Sequence, residues 1–240
     1  MAKKSIDYAA ARRAAEEQAK KQKRNMKIFL ISAIAVLLVA VAVVLIVNLT
    51  GESYVPLTQV QDEIDNYSAA DFTETEKESK YVIIKVKNYG DIVCELREDI
   101  APITVKNFKK LVSEKFYDGL IFHRVIEDFM IQGGGMDLDF KEKDAASIKG
   151  EFTSNGVANN LKHYRGVLSM ARTNVKDSAS SQFFIMHKTS PHLDGDYASF
   201  GYVLSGMEIV DKIATVETNS SDAPLEPVII ESIRFATYNK

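Results

Sequence analysis

The spacing of apolar positions changes several times along this chain, and each change marks a predicted element. From Tyr81 the period is two. Val82, Ile84 and Val86 alternate with Ile83, Lys85 and Lys87, then Asn88-Tyr89-Gly90-Asp91 leads into Ile92-Val93-Cys94-Glu95-Leu96. Alternation on both sides of a turn predicts a β-hairpin. Pro102 then stands in a first helical turn, with Val105, Phe108, Leu111 and Val112 on one helical face. Residues 115–132 return to strand spacing, and residues 133–165 read as loop. Gly166 to Ala171, Gln182 to Met186 and Ala198 to Val203 are short strand candidates. Gly206 precedes a short helix, Met207 to Ala214, and Val228 to Phe235 reads as a closing strand. Many short strands with two widely separated helices predict a mainly β fold, a closed barrel with helical caps.

Upstream the pattern differs in kind. Ile28 to Val47 is a run of 20 residues in which only Ser32 is polar. As a helix rising about 1.5 Å per residue, that run spans a hydrocarbon core of about 30 Å. A cleaved signal peptide would carry a shorter apolar region, about 7–15 residues, ending in small residues. Val47-Asn48-Leu49-Thr50 is a poor cleavage site, so an uncleaved transmembrane helix over 28–47 is expected. Residues 1–27 carry nine Lys/Arg against three Asp/Glu, whereas residues 48–80 carry two against eight. This bias puts the basic segment 1–27 in the cytoplasm and everything after the helix outside it. Residues 48–80, with Gly51, Pro56 and scattered Ser, Thr, Asp and Glu, read as an acidic tether. A domain over 81–240 follows.

Composition adds limits. The net charge of −3 calls for no nucleic-acid partner, and the single cysteine, Cys94, excludes an internal disulfide. His163, His187 and His192 lack the spacing and carboxylate neighbours of a metal site, so no metal or cofactor is expected. Gly133-Gly134-Gly135 has no Lys-Ser/Thr behind it, and a tight turn explains it better than a phosphate loop.

The most informative stretch is Phe122-His123-Arg124-Val125-Ile126, followed by Phe129-Met130-Ile131-Gln132-Gly133-Gly134. It sets a permanent cation in an apolar strand pattern, which is costly unless the guanidinium has partners or a task. Ser180-Ser181-Gln182-Phe183-Phe184-Ile185 repeats the theme of polar residues leading into an apolar strand. Together these segments suggest an apolar pocket with an arginine at its rim, suited to gripping a neutral amide.

These segments, with Gly166-Val167-Leu168-Ser169-Met170-Ala171, Leu193-Asp194-Gly195 and Phe200-Gly201, resemble the signature of cyclophilin-type peptidyl-prolyl cis-trans isomerases. The resemblance covers roughly residues 81–237. It implies a closed eight-stranded antiparallel barrel capped by two helices, and rotation of X-Pro bonds in proline-containing polypeptides. It further implies that Arg124 and Gln132 carry the reaction, with Gln132 helping to orient Arg124. Phe129, Met130, Phe184 and Leu193 would line the proline pocket. Ala171, Arg172 (through its backbone), Gln182, His192 and Tyr197 would contact substrate, while His123 would be structural.

Several positions depart from the common pattern. Glu127-Asp128 replaces Pro-Gly, and Gly135-Met136 replaces Gly-Asp. Arg172-Thr173 and Tyr197 look like the bacterial branch. His192 stands where drug-sensitive members carry tryptophan, so weak or absent cyclosporin binding is expected. The leading expectation is a membrane-tethered foldase for exported proteins. Its rivals are a proline-segment binding module with little turnover and a cell-envelope scaffold.

Overall fold

A computed structural model describes residues 60–239. The expected basic segment 1–27, transmembrane helix 28–47 and first part of the tether lie outside the described residues. Among the described residues no helix is long and apolar enough to cross a membrane.

Nine strands form one antiparallel sheet: β1 (Phe72–Thr75), β2 (Tyr81–Val86), β3 (Gly90–Leu96), β4 (Ile121–Ile126), β5 (Met130–Met136), β6 (Val167–Met170), β7 (Phe183–Met186), β8 (Ser199–Ser205) and β9 (Ile230–Tyr238). Their order is β1-β9-β2-β3-β8-β6-β7-β5-β4. This corrects the expectation of eight strands closed into a barrel. The sheet curls until β4 meets the residues leading into β9, but there the strands share only an isolated bridge, Ile121 to Ile229. A few backbone hydrogen bonds, such as Phe122 N–H to Val228 O and Ile230 N–H to Leu120 O, accompany it. The sheet therefore has two ends, β1 and β4, and no continuous closing ladder.

The expected hairpin is β2–β3, paired from Tyr81 with Glu95 to Val86 with Gly90. The two expected helices are α2 (Pro102–Ser113) and α3 (Met207–Ala214), and a single-turn α1 (Val60–Glu63) precedes them. Pro102 starts α2, but Ala101 supplies no side-chain cap. The open N–H groups of Ile103 and Thr104 are taken by the buried carboxylate of Glu151 at 3.0 and 2.8 Å. A helix start left open by its neighbours is thus completed across the fold. The apolar face of α2 enters the core, where Phe108 packs its ring against Tyr117, Phe183 and Phe200.

Residues 60–79, which sequence assigned to the tether, belong to the folded body. Strand β1 pairs with the far end of β9, Phe72 opposite Tyr238. Val60 is fully buried, and Ile64 packs against the core. Asp65 accepts hydrogen bonds from the N–H groups of Gly206 and Met207, both at 3.1 Å, and so caps α3. The pattern hid this because the segment is polar overall and anchors itself through a few widely spaced side chains.

Gly133, Gly134 and Gly135, expected in a turn, lie inside β5. A Cβ on Gly133 would meet the Ile121 carbonyl oxygen at 2.8 Å, and one on Gly134 would meet the Phe183 ring at 2.8 Å. Glycine here allows neighbouring strands and rings to approach β5 closely.

Candidate active site

Strands β4, β5 and β7 lie side by side, and the two-residue alternation of side chains sorts their residues. Val125, Ile131, Phe183 and Ile185 enter the core. Arg124, Gln132 and Phe184 belong to the other face, and the register sets Arg124 opposite Gln132 and Gln132 opposite Phe184. A register shift between Phe122 and Arg124 leaves His123 without a partner in β5. This bulge lets Phe122 and Val125 both reach the core while Arg124 faces out.

The amide of Gln132 donates to Gln182 Oε1 at 3.0 Å and lies 3.3 Å from His123 Nε2. Burial lowers the His123 imidazole below its ordinary value, which keeps it neutral at pH 7. Arg124 Nε donates to Asp222 Oδ2 at 3.2 Å, while the register sets Gln132, expected to help orient Arg124, directly opposite it. Asp222 lies on a loop that sequence did not single out.

Met130, Phe184 and Leu193 are buried, and Phe129 is partly covered. Phe129 stacks on His192 with ring centres 5.6 Å apart. Phe184 meets Tyr197 edge-on at 5.9 Å and stacks on His163 at 6.1 Å. Tyr197 in turn carries the Arg172 guanidinium, 4.6 Å above its ring. That guanidinium also donates to the backbone oxygens of Asp196 and Thr173. Ala171 N–H donates to Gln182 O at 2.9 Å, joining the end of β6 to this group.

Beneath Phe184, His163 bridges Asp194 Oδ1 at 3.0 Å and Ser169 Oγ at 3.0 Å. Burial pushes the imidazole down, and this outweighs the upward pull of Asp194. The Asp194 carboxyl, opposed by burial but hydrogen-bonded by the His163 backbone and ring, lies below the usual carboxylate range. The pair is therefore a neutral imidazole on an ionised carboxylate. Among the described residues no group of three His, Cys, Asp or Glu side chains could hold a metal ion.

The family model described as cyclophilin type peptidyl-prolyl cis-trans isomerase/CLD matches residues 81–235. The chain belongs to that family. A peptidyl-prolyl cis-trans isomerase of Acinetobacter baylyi is 48% identical over 162 residues, covering 63% of this chain and 84% of the relative. Peptidyl-prolyl cis-trans isomerase B of Escherichia coli is 45% identical over 158 residues, covering 61% and 94%. Among solved structures, a cyclophilin-type isomerase of Cryptosporidium parvum matches with a TM-score of 0.57 at 30% identity, over 66% of this chain and 98% of that one. The same Cryptosporidium protein has been crystallised in the presence of the dipeptide Ala-Pro. This cyclophilin is accordingly a peptidyl-prolyl cis-trans isomerase. Its segment 60–80, which packs on β9 and α3, precedes the part matched by the family model.

Proposed function

We propose that Arg124 and Gln132 act on the X-Pro bond while Phe129, Met130, Phe184 and Leu193 hold the proline ring. Rotation of this bond has a barrier of about 18–20 kcal/mol because twisting destroys amide resonance. Uncatalysed exchange takes tens to hundreds of seconds, slow enough to limit folding. In the twisted amide the prolyl nitrogen becomes pyramidal and basic. A donor aimed at that nitrogen stabilises the transition state more than the planar ground state, and this difference accelerates the reaction. Arginine suits the role because it stays protonated and offers several oriented N–H groups. No proton needs to move, so a neutral, buried His123 is compatible with the chemistry.

One observation carries this reading: a half-exposed guanidinium opposite Gln132, beside the apolar floor of Met130 and Phe184. Gln182 and the backbone from Ala171 to Arg172 are the contacts for residues before the proline. The Ala-Pro dipeptide used with the Cryptosporidium relative supports a proline-containing peptide as the substrate class.

We further place the domain outside the cytoplasmic membrane, tethered by residues 28–47 and acting on exported proteins. The 20-residue apolar run and the change from basic to acidic flanks support this topology. The decisive assay follows isomerisation of a short X-Pro peptide by the purified full chain, wild type beside Arg124→Ala. Acceleration lost at least about tenfold in the variant supports the arginine mechanism. Equal rates for the two proteins would remove Arg124 from it.

A further inference from the structure

We infer that Asp222 is a positioning residue that aims Arg124, an inference resting on the role proposed above for Arg124. Three independent observations meet at Asp222. Its carboxylate takes the Nε proton of Arg124 at 3.2 Å. Its backbone oxygen accepts from the N–H of Val125 at 2.8 Å, so the residue is tied to β4 beside the arginine it pairs with. Its φ is +61°, a left-handed conformation that non-glycine residues rarely adopt. Asparagine and aspartate tolerate that region best, and residues held there cluster at functional sites.

The loop around Asp222 is built to hold this pose. Asn219 Oδ1 accepts from the N–H groups of Ser221 and Ala223 at 2.8 and 3.1 Å. The backbones of Asn219 and Ala223 bond to each other, and Thr218 bridges to Pro224. Asp222 is therefore presented by a closed turn, and its reach to Arg124 does not depend on a free loop finding the right shape.

The atom chosen matters. A guanidinium has five N–H groups in one plane, and engaging Nε fixes that plane while the four terminal N–H groups stay available. An arginine on β4 without this contact would sample several rotamers. Only a fraction of them would point a donor at the prolyl nitrogen. Holding the productive one in advance raises turnover without adding a contact to the substrate.

The test is a double-mutant cycle on the full chain, with isomerisation rate, affinity for an Ala-Pro peptide and melting temperature read for each protein. Asp222→Gly removes the carboxylate and suits the positive φ. It should lower turnover about tenfold, leaving peptide affinity within about twofold and melting within a few degrees. Asp222→Asn keeps an acceptor and tolerates the backbone, so it should lose only about two- to threefold. In the Arg124→Ala background, Asp222→Gly should produce no further loss, because it acts through the arginine.

Wild-type turnover in Asp222→Gly would overturn the inference, and so would a loss of equal size with and without Arg124. If Asp222→Gly does not fold, Asp222→Asn decides: a loss that vanishes in the Arg124→Ala background supports positioning, and any other result overturns it. An Arg124→Ala protein with full activity would overturn the proposed role of Arg124 and this inference together. A crippled Arg124→Ala beside an unaffected Asp222→Gly would overturn this inference alone.

Discussion

Arg124 sits at the edge of water, with 42% of its side chain exposed and one N–H committed to Asp222. This position avoids the desolvation that full burial would impose, yet leaves the cation beside an apolar floor where a donor counts for more than in bulk water. Loss of the guanidinium in Arg124→Ala should therefore cost at least about 1.4 kcal/mol of transition-state stabilisation, read as a tenfold fall in kcat/KM. At the neighbouring turn, Asp128 takes a left-handed φ of +58°. It is fastened by His187 Nδ1, which accepts its N–H at 2.9 Å, and by Lys188 at 3.1 Å. His192 is exposed and stacks on Phe129, offering a smaller surface than an indole. Cyclosporin should bind weakly, and inhibition at nanomolar concentration would refute that expectation. His163 sets a pH limit. Because burial holds it below the ordinary histidine value of 6.5, the unfolded chain takes up its proton at higher pH than the folded one. The stability from neutral His163 is thus present at pH 7 and lost as pH falls below about 6.5, with His123 acting in the same direction. Urea midpoints measured near pH 7.5 and pH 5.5 should drop, and the drop should shrink in His163→Asn; equal midpoints for the wild type would contradict this reading.

At the scale of elements, local pattern and distant partners contribute separately. The β2–β3 hairpin and the apolar face of α2 are legible because burial of one face imposes a period of two or of about 3.6. The capping of α2 by Glu151 and of α3 by Asp65 is not legible, since each carboxylate lies far along the chain from the helix it completes. Asp65→Ala should destabilise the domain by about 1–2 kcal/mol, from a lost cap and from alanine forced to a φ of +57°. A chain starting at residue 80 should retain isomerase activity but lose roughly 2–4 kcal/mol of stability. Burial of Val60 and Phe72 disappears, partly offset by the ordering entropy of the removed segment. Chemical denaturation of the two lengths side by side would check this, and identical midpoints would show that the segment adds nothing. Within β5, Gly133→Ala should cost about 1–3 kcal/mol, because its Cβ would push against the Ile121 carbonyl.

For the whole molecule, the proposed arrangement is a folded catalytic body, begun at Val60, on a membrane anchor over 28–47. Protease added outside intact cells should digest the isomerase domain, and deletion of 28–47 should release the protein from the membrane fraction. Protection of the domain in intact cells would reverse the topology. The sequence by itself determined the mainly β pattern and the two principal helices, and it named the residues proposed for the site. Arg124, Met130, Gln132 and Phe184 fall in short strands whose apolar spacing is visible in the sequence, whereas the bulge that turns Arg124 away from Phe122 is not. Tertiary structure alone decided the ninth strand and the open sheet, because pairing of β1 with β9 and the near-meeting of β4 with Ile229 join residues far apart in the chain. It also decided the partner of Arg124. Asp222 lies 98 positions away on a loop with no periodicity, so only the closed turn and its bond to Val125 could bring that carboxylate to the guanidinium.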